Sequence, residues 1–113
     1  MTDYNFGDVV LVLFPFTDQT TTKKRPAVVV SSSVYNQERP DIVLMAVTSQ
    51  VRLSDLFGEV EVTEWKRAGL LKASVIKPIF TTIEKALVLK KLGRLGKKDR
   101  KVLQEKLEKL VGD

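Results

Sequence analysis

Apolar residues in this chain fall into short runs separated by polar stretches. Residues 9–14 (Val-Val-Leu-Val-Leu-Phe) are apolar without interruption and follow Gly7-Asp8. A run of this kind suits a strand buried on both faces or curled into a small barrel. Pro15 ends it, and the polar residues 17–24 predict an exposed loop. Pro26 has no N–H to give a ladder, so it fits the start of a second strand over residues 27–31. Residues 33–41 read as a second polar loop, and 42–48 as the third strand. Residues 51–57 predict a loop. Residues 59–62 alternate polar and apolar, as a half-exposed strand does. Residues 63–66 predict a short helical turn before Gly69, and 74–79 and 87–92 two further strands. Residues 81–85 read as a turn or short helix between those last two.

The tail has a different period. Leu103, Leu107 and Leu110 are spaced by four and three, with Val111 beside them, on an otherwise charged segment. That pattern predicts an amphipathic helix over 97–110, preceded by Gly96 and stopped by Gly112. Several short strands and a terminal helix argue a mainly β fold, a small barrel with appended helices. At 113 residues the chain is expected to form one domain over 1–113.

Composition narrows the chemistry. The chain has no Cys and no His, so neither a typical zinc site nor a Ser-His or Cys-His nucleophile pair can be built. The carboxylates Asp41, Asp55, Glu59, Glu61 and Glu64 are scattered singly, without the ligand spacing of a two-metal nuclease. Net charge is +5, which favours an anionic partner or simply keeps the protein soluble. No apolar run approaches the ~20 residues that cross a bilayer. The N-terminus lacks the basic-then-apolar order of a signal peptide.

Two boundaries between polar and apolar segments carry candidate chemistry. Arg25 stands before Pro26, which restrains its backbone toward extended geometry. It is either a solvated loop arginine or a phosphate ligand, for which its planar, permanently charged fork is suited. Thr48 closes the third strand and opens Thr48-Ser49-Gln50. Its hydroxyl can serve a local backbone group or a phosphate oxygen. Lys23 and Lys24 extend the cationic run and can guide a polyanion. Phe16 can stack on a base or anchor its loop.

The order Gly7-Asp8 plus apolar strand, Lys24-Arg25-Pro26 plus apolar strand, then an Ile/Val-rich strand ending in Thr48-Ser49-Gln50 resembles the MazF/PemK toxins. These are endoribonucleases of bacterial toxin–antitoxin pairs, and the resemblance covers nearly the whole chain. It implies an SH3-like barrel of the MazF/PemK/CcdB type. It also implies metal-independent cleavage of single-stranded RNA by attack of the 2′-hydroxyl, leaving a 2′,3′-cyclic phosphate and a 5′-hydroxyl. On that reading Arg25 and Thr48 are catalytic, and Phe16, Lys23, Lys24, Ser49, Gln50 and Ser74 hold RNA. No cofactor or metal is expected. The implied partners are an acidic antitoxin, DNA when joined to it, and a second copy in a cytoplasmic homodimer. The chain departs from the family's pattern in two places. Ala73 stands where many members carry an acid before Ser74, and Thr20-Thr21-Thr22-Lys23-Lys24 replaces a common loop sequence. A non-catalytic module on the same fold is the alternative, either a CcdB-like gyrase poison or a degenerate toxin that binds RNA or antitoxin without cutting.

Overall fold

The computed structural model describes residues 3–15, 22–49 and 57–112. Six strands form one antiparallel sheet: β1 (Asp8–Pro15), β2 (Thr22–Val29), β3 (Asp41–Thr48), β4 (Val60–Val62), β5 (Ser74–Glu84) and β6 (Lys90–Arg94). Their order is β4-β5-β3-β2-β1-β6. Two helices complete the fold, α1 (Ser33–Glu38) and α2 (Lys97–Leu110). The mainly β fold with its C-terminal helix is as expected, and the barrel is present as a curled half-barrel.

The uninterrupted apolar runs are explained by burial on both faces. Val9, Val28, Met45, Val47 and Ile76 share one face with Leu95 and Leu103. Val10, Val12, Ala27, Val29, Ile42, Leu44 and Ala46 form a second cluster on the other. Alternation along a strand sends successive side chains to opposite faces, so each face is lined by every second residue. Helix α2 closes the first face: Leu103 is fully buried, Leu107 packs against the cluster, and Leu110 is half-buried. The second face is covered by Tyr4, Ile83 and Val88.

β5 contributes Ile76 to the first face and Ile83 to the second, and it bulges between them. Its register with β3 steps from Val47↔Ile76 to Met45↔Phe80, so Ala46 alone stands opposite Lys77, Pro78 and Ile79. Those residues occupy the bulge, where one without an N–H is tolerated. Expecting this strand to stop at residue 79 was therefore wrong; it continues through Thr81 and Thr82 to Glu84, and a 3-10 turn follows at Lys85–Leu87. β6 accordingly begins at Lys90 rather than residue 87.

Two further boundaries differ. The expected loop over 33–41 contains α1, which Ser32 caps by accepting a hydrogen bond from Tyr35 N at 3.2 Å. β2 starts at Thr22 and holds Pro26 internally, opposite Leu11. The β2–β3 ladder spans only Ala27 to Val29, so at Pro26 the strand is an edge on that side and the missing donor removes no β3 bond. Helix α2 ends at Leu110 with extended Val111 as its cap, not through a left-handed Gly112. No helix among the described residues is long and apolar enough to cross a membrane.

Candidate functional site

The outer ends of β2 and β3 rise beside the segment that follows β4. β2 sets Lys24 opposite Leu13 and Arg25 opposite Val12 of β1. The β2–β3 ladder ends with Ala27 opposite Ala46, so Arg25 lies just beyond the paired part of β2 on the β3 side. Arg25 is half-buried, with its Nε shielded from solvent. Far from lying in a loop, Arg25 thus stands on a strand whose backbone is fixed by pairing.

Residues 64–69 make one helical turn, with Ala68 N donating to Glu64 O at 3.1 Å and Leu70 N to Trp65 O at 2.9 Å. Gly69 ends it at φ +85°. A Cβ on Gly69 would lie 2.2 Å from the Leu92 carbonyl oxygen, and one on Gly93 would lie 2.6 Å from that of Ala68. Glycine is required at both positions, for a left-handed backbone in one and close approach in the other. This backbone-to-backbone contact seats the loop Leu70–Leu71–Lys72 against β6.

Together these elements enclose a cavity of about 600 Å³. Its polar lining consists of Lys24, Arg25, Ser49, Lys72, Ser74 and Lys90, and its apolar lining includes Leu11, Pro26, Val47, Leu70, Leu71 and Leu92. Four cations converge there, with no carboxylate among the described lining residues. Such a site suits an anion with apolar parts, and guanidinium and ammonium groups deliver charge-assisted hydrogen bonds to phosphate. A second cavity, of about 630 Å³ between Phe6, Val30 and the Leu107–Glu108 side of α2, has one acidic residue and no cation in its lining. It does not suit an anion. No group of three or more Asp or Glu among the described residues could hold a metal ion.

The sequence-derived candidates are placed as follows. Lys24, Arg25, Ser49 and Ser74 meet in the cavity. Thr48 is half-buried at its margin, between the lining residues Val47 and Ser49. Ser74 is 4% exposed and donates its hydroxyl to the Lys72 carbonyl at 2.9 Å. Its proton is thereby committed to the protein, and what Ser74 supplies is the position of the Lys72 backbone. Phe16, Gln50 and the side chain of Lys23 lie outside the described residues. Sequence reasoning missed Lys72 and Lys90 as site residues. Lys90 reaches the cavity only because β6 pairs with β1, Lys90 opposite Leu11, and nothing local in the sequence announces that pairing. Lys72 stands next to the departure at Ala73, but its place in the lining needed the loop geometry.

Tyr35 and Trp65 are structural. Tyr35 OH donates to Asp41 Oδ1 at 3.0 Å, and Trp65 packs on the first core cluster.

The fold and the sequence both have counterparts. The chain resembles MazF of Deinococcus radiodurans, at 22% identity and TM-score 0.75 over 100% of both chains. It resembles the Mycobacterium tuberculosis toxin MazF-mt6 at 21% identity and TM-score 0.72, covering 90% of this chain and 93% of that one. The MazE–MazF complex of D. radiodurans matches at 22% identity and TM-score 0.72, over 96% of each chain. No protein among the curated sequences compared matches the chain. The model of the PemK-like, MazF-like toxins matches residues 5–111, nearly the full length and every element of the cavity, and the chain therefore belongs to this family of type II toxin–antitoxin toxins.

Proposed function

We propose that the chain is an endoribonuclease that cuts single-stranded RNA at the Arg25 cavity without a metal ion. The observation that carries this reading is the convergence of Arg25, Lys24, Lys72 and Lys90 on one cavity with Ser49, in a member of the MazF-like toxin family. Solved relatives of the same fold include a mycobacterial endoribonuclease bound to its cognate antitoxin.

The chemistry is that implied by the family resemblance, with the general base unassigned. The 2′-oxygen of the substrate attacks the adjacent phosphorus as its proton is lost to base. The bond from phosphorus to the 5′-oxygen breaks, and that oxygen takes a proton. One product ends in a 2′,3′-cyclic phosphate and the other begins with a 5′-hydroxyl. Charge builds on the non-bridging oxygens in the transition state, where preorganised donors act most strongly. Arg25 is suited to stabilising that charge. Its strand is fixed, its Nε is shielded from water, and it stays cationic at any working pH. Thr48, at the cavity margin, orients the phosphate. Lys24, Lys72 and Lys90 hold flanking phosphates, while Ser49, exposed at the rim, contacts the sugar or base. Cleavage by the 2′-hydroxyl would restrict the reaction to RNA, since DNA lacks that group.

An acidic antitoxin and a second copy of the chain are the proposed protein partners. The net charge of +5 suits the first, and sedimentation at micromolar concentration tests the second.

The deciding experiment is incubation of the purified protein with a long single-stranded RNA in excess EDTA, beside Arg25→Ala. Discrete fragments from the wild type alone, with a cyclic phosphate at their 3′ ends, are expected. Intact RNA in both lanes from folded protein refutes the reading in favour of a binding module.

A further inference from the structure

The positive charge of this protein is concentrated in one place. Residues 85–101 hold eight Lys or Arg and a single acid, Asp99, so this stretch carries +7 in a chain of net charge +5, and all other residues together carry −2. In the fold the stretch is continuous: the last 3-10 turn, the edge strand β6, and the first turns of α2. Lys90, Arg94, Lys97, Lys98 and Lys101 are all exposed. Within β6 and the first turns of α2 the leucines are turned inward, with Leu95 buried and Leu92 packed on the core, whereas Leu87 and Leu89, ahead of β6, are exposed. The nearby acids cancel only part of the charge. Asp8 is 1% exposed and shared between Lys91 at 3.0 Å and Arg94 at 3.7 Å. Asp99 is buried and faces Thr63. Glu64, beside Gly96, pairs with Arg67 at 3.4 Å.

Stability alone does not account for this arrangement. Lysines along an edge strand do discourage sheet-to-sheet pairing. Cations in the first turn of a helix, however, oppose its dipole, and α2 opens with Lys97, Lys98, Arg100 and Lys101 around one acid. A local preference broken at several adjacent positions marks a functional demand.

We propose that the exposed edge formed by β6 and the first turns of α2 is a second RNA-binding surface, which holds the sugar-phosphate backbone of nucleotides flanking those in the Arg25 cavity. Lys90 joins the two, since it lines the cavity at one end of β6 while Arg94 leads into α2 at the other. The strand from Lys90 to Arg94 is ~13 Å long at its usual rise, and the first helical turn adds ~5 Å, enough for several nucleotides. RNA is favoured over an acidic protein because the edge offers cations without the apolar centre that protein interfaces bury. The proposal rests on the endoribonuclease reading and extends it: long RNAs bind better than short ones for a reason independent of sequence.

The test is fluorescence anisotropy with 2′-O-methyl RNAs, which cannot be cut, of about 6 and about 30 nucleotides, at two salt concentrations, for wild type, K97E/K98E and K97R/K98R. Expected for K97E/K98E is about tenfold or greater loss of affinity for the long RNA, and a salt slope shallower by about 1.4, the share of two single-strand phosphate contacts. Its affinity for the short RNA stays within about twofold, and its melting temperature is unchanged or higher, because Glu suits the first helical turn. K97R/K98R binds as wild type does. Unchanged binding of the long RNA overturns the proposal, as does equal loss on both RNAs. Displacement of the long RNA by a polyglutamate peptide more strongly than by unlabelled RNA overturns it too and reassigns the edge to a protein partner. Wild-type protein that binds neither RNA overturns the endoribonuclease reading itself, and is thereby told apart from failure of the second surface alone.

Discussion

Thr63 Oγ1 donates to Asp99 Oδ1 at 2.7 Å, across 36 residues of sequence. The other carboxylate oxygen accepts from Glu64 N at 3.1 Å. One buried side chain on α2 thus caps the turn that leads to the cavity loop, and joins the helix to the half-barrel by more than apolar contact.

Asp99→Ala should therefore destabilise the protein well beyond a surface change. Two part-buried donors would lose their charged acceptor, at a cost of about 1–2 kcal/mol. Thr63→Val removes one of them with its partner left in place and should cost about 1 kcal/mol. Urea denaturation of the single and double variants measures both. Strictly additive losses would show that the two groups do not interact.

Gly69→Ala meets both a left-handed backbone and the Leu92 carbonyl at 2.2 Å. The expected loss is about 3 kcal/mol, from strain and the forced separation of loop and β6. Because the same loop carries Lys72, RNA cleavage should fall in the fraction that remains folded. A melting temperature within a degree or two of wild type would contradict the contact.

Arg25→Lys separates charge from geometry. A lysine keeps the cation but offers neither the planar fork nor its paired donors. Single-turnover cleavage should drop by roughly 10²–10³-fold, the range for loss of one transition-state donor, with circular dichroism unchanged. Wild-type rates for Arg25→Lys would mean that Arg25 acts only as a point charge.

Acid should weaken the β3 entry in a definite window. The Arg39 guanidinium, whose Nε donates to Asp41 Oδ1 at 2.9 Å, holds the Asp41 carboxyl below the usual range, aided by the Tyr35 hydroxyl. A carboxylate depressed in the folded state contributes stability above its unfolded pKa of about 4, and this is lost as pH falls through the lower folded value. Asp41→Asn should abolish that part of the acid sensitivity while leaving neutral-pH cleavage unchanged. Denaturation midpoints from neutral pH down to about pH 2 measure it, and identical acid profiles for the two proteins would refute the assignment.

What the sequence revealed was what local patterning controls. The runs that became β1 and β3 were readable because both faces are buried, which leaves no polar interruption. α2 was readable to the residue because its Leu stripe follows Gly96, although Val111 and not Gly112 caps its end. α1 was hidden by its six residues, too few to show a period, although Ser32 was present as a cap. β5 was cut short because residues 81–85 read as a turn or short helix, and only the pairing with β3 carries the strand on to Glu84. Arg25 was found through its family-like setting beside Pro26. Lys90 was not, because it joins the cavity through a strand pairing between segments far apart in the chain.

The meeting of Ala68–Gly69 with Leu92–Gly93 leaves a mark on how this toxin can diversify. A wall made of two backbones in contact offers natural variation nothing to exchange, since any side chain at either glycine collides with a carbonyl. Changes in target preference are channelled to the rim instead, to Ser49, Leu71 and Lys72, which face solvent. Leu71, 92% exposed, is the position with the most freedom to change without disturbing the fold. Sister toxins that share this backbone contact should differ there first.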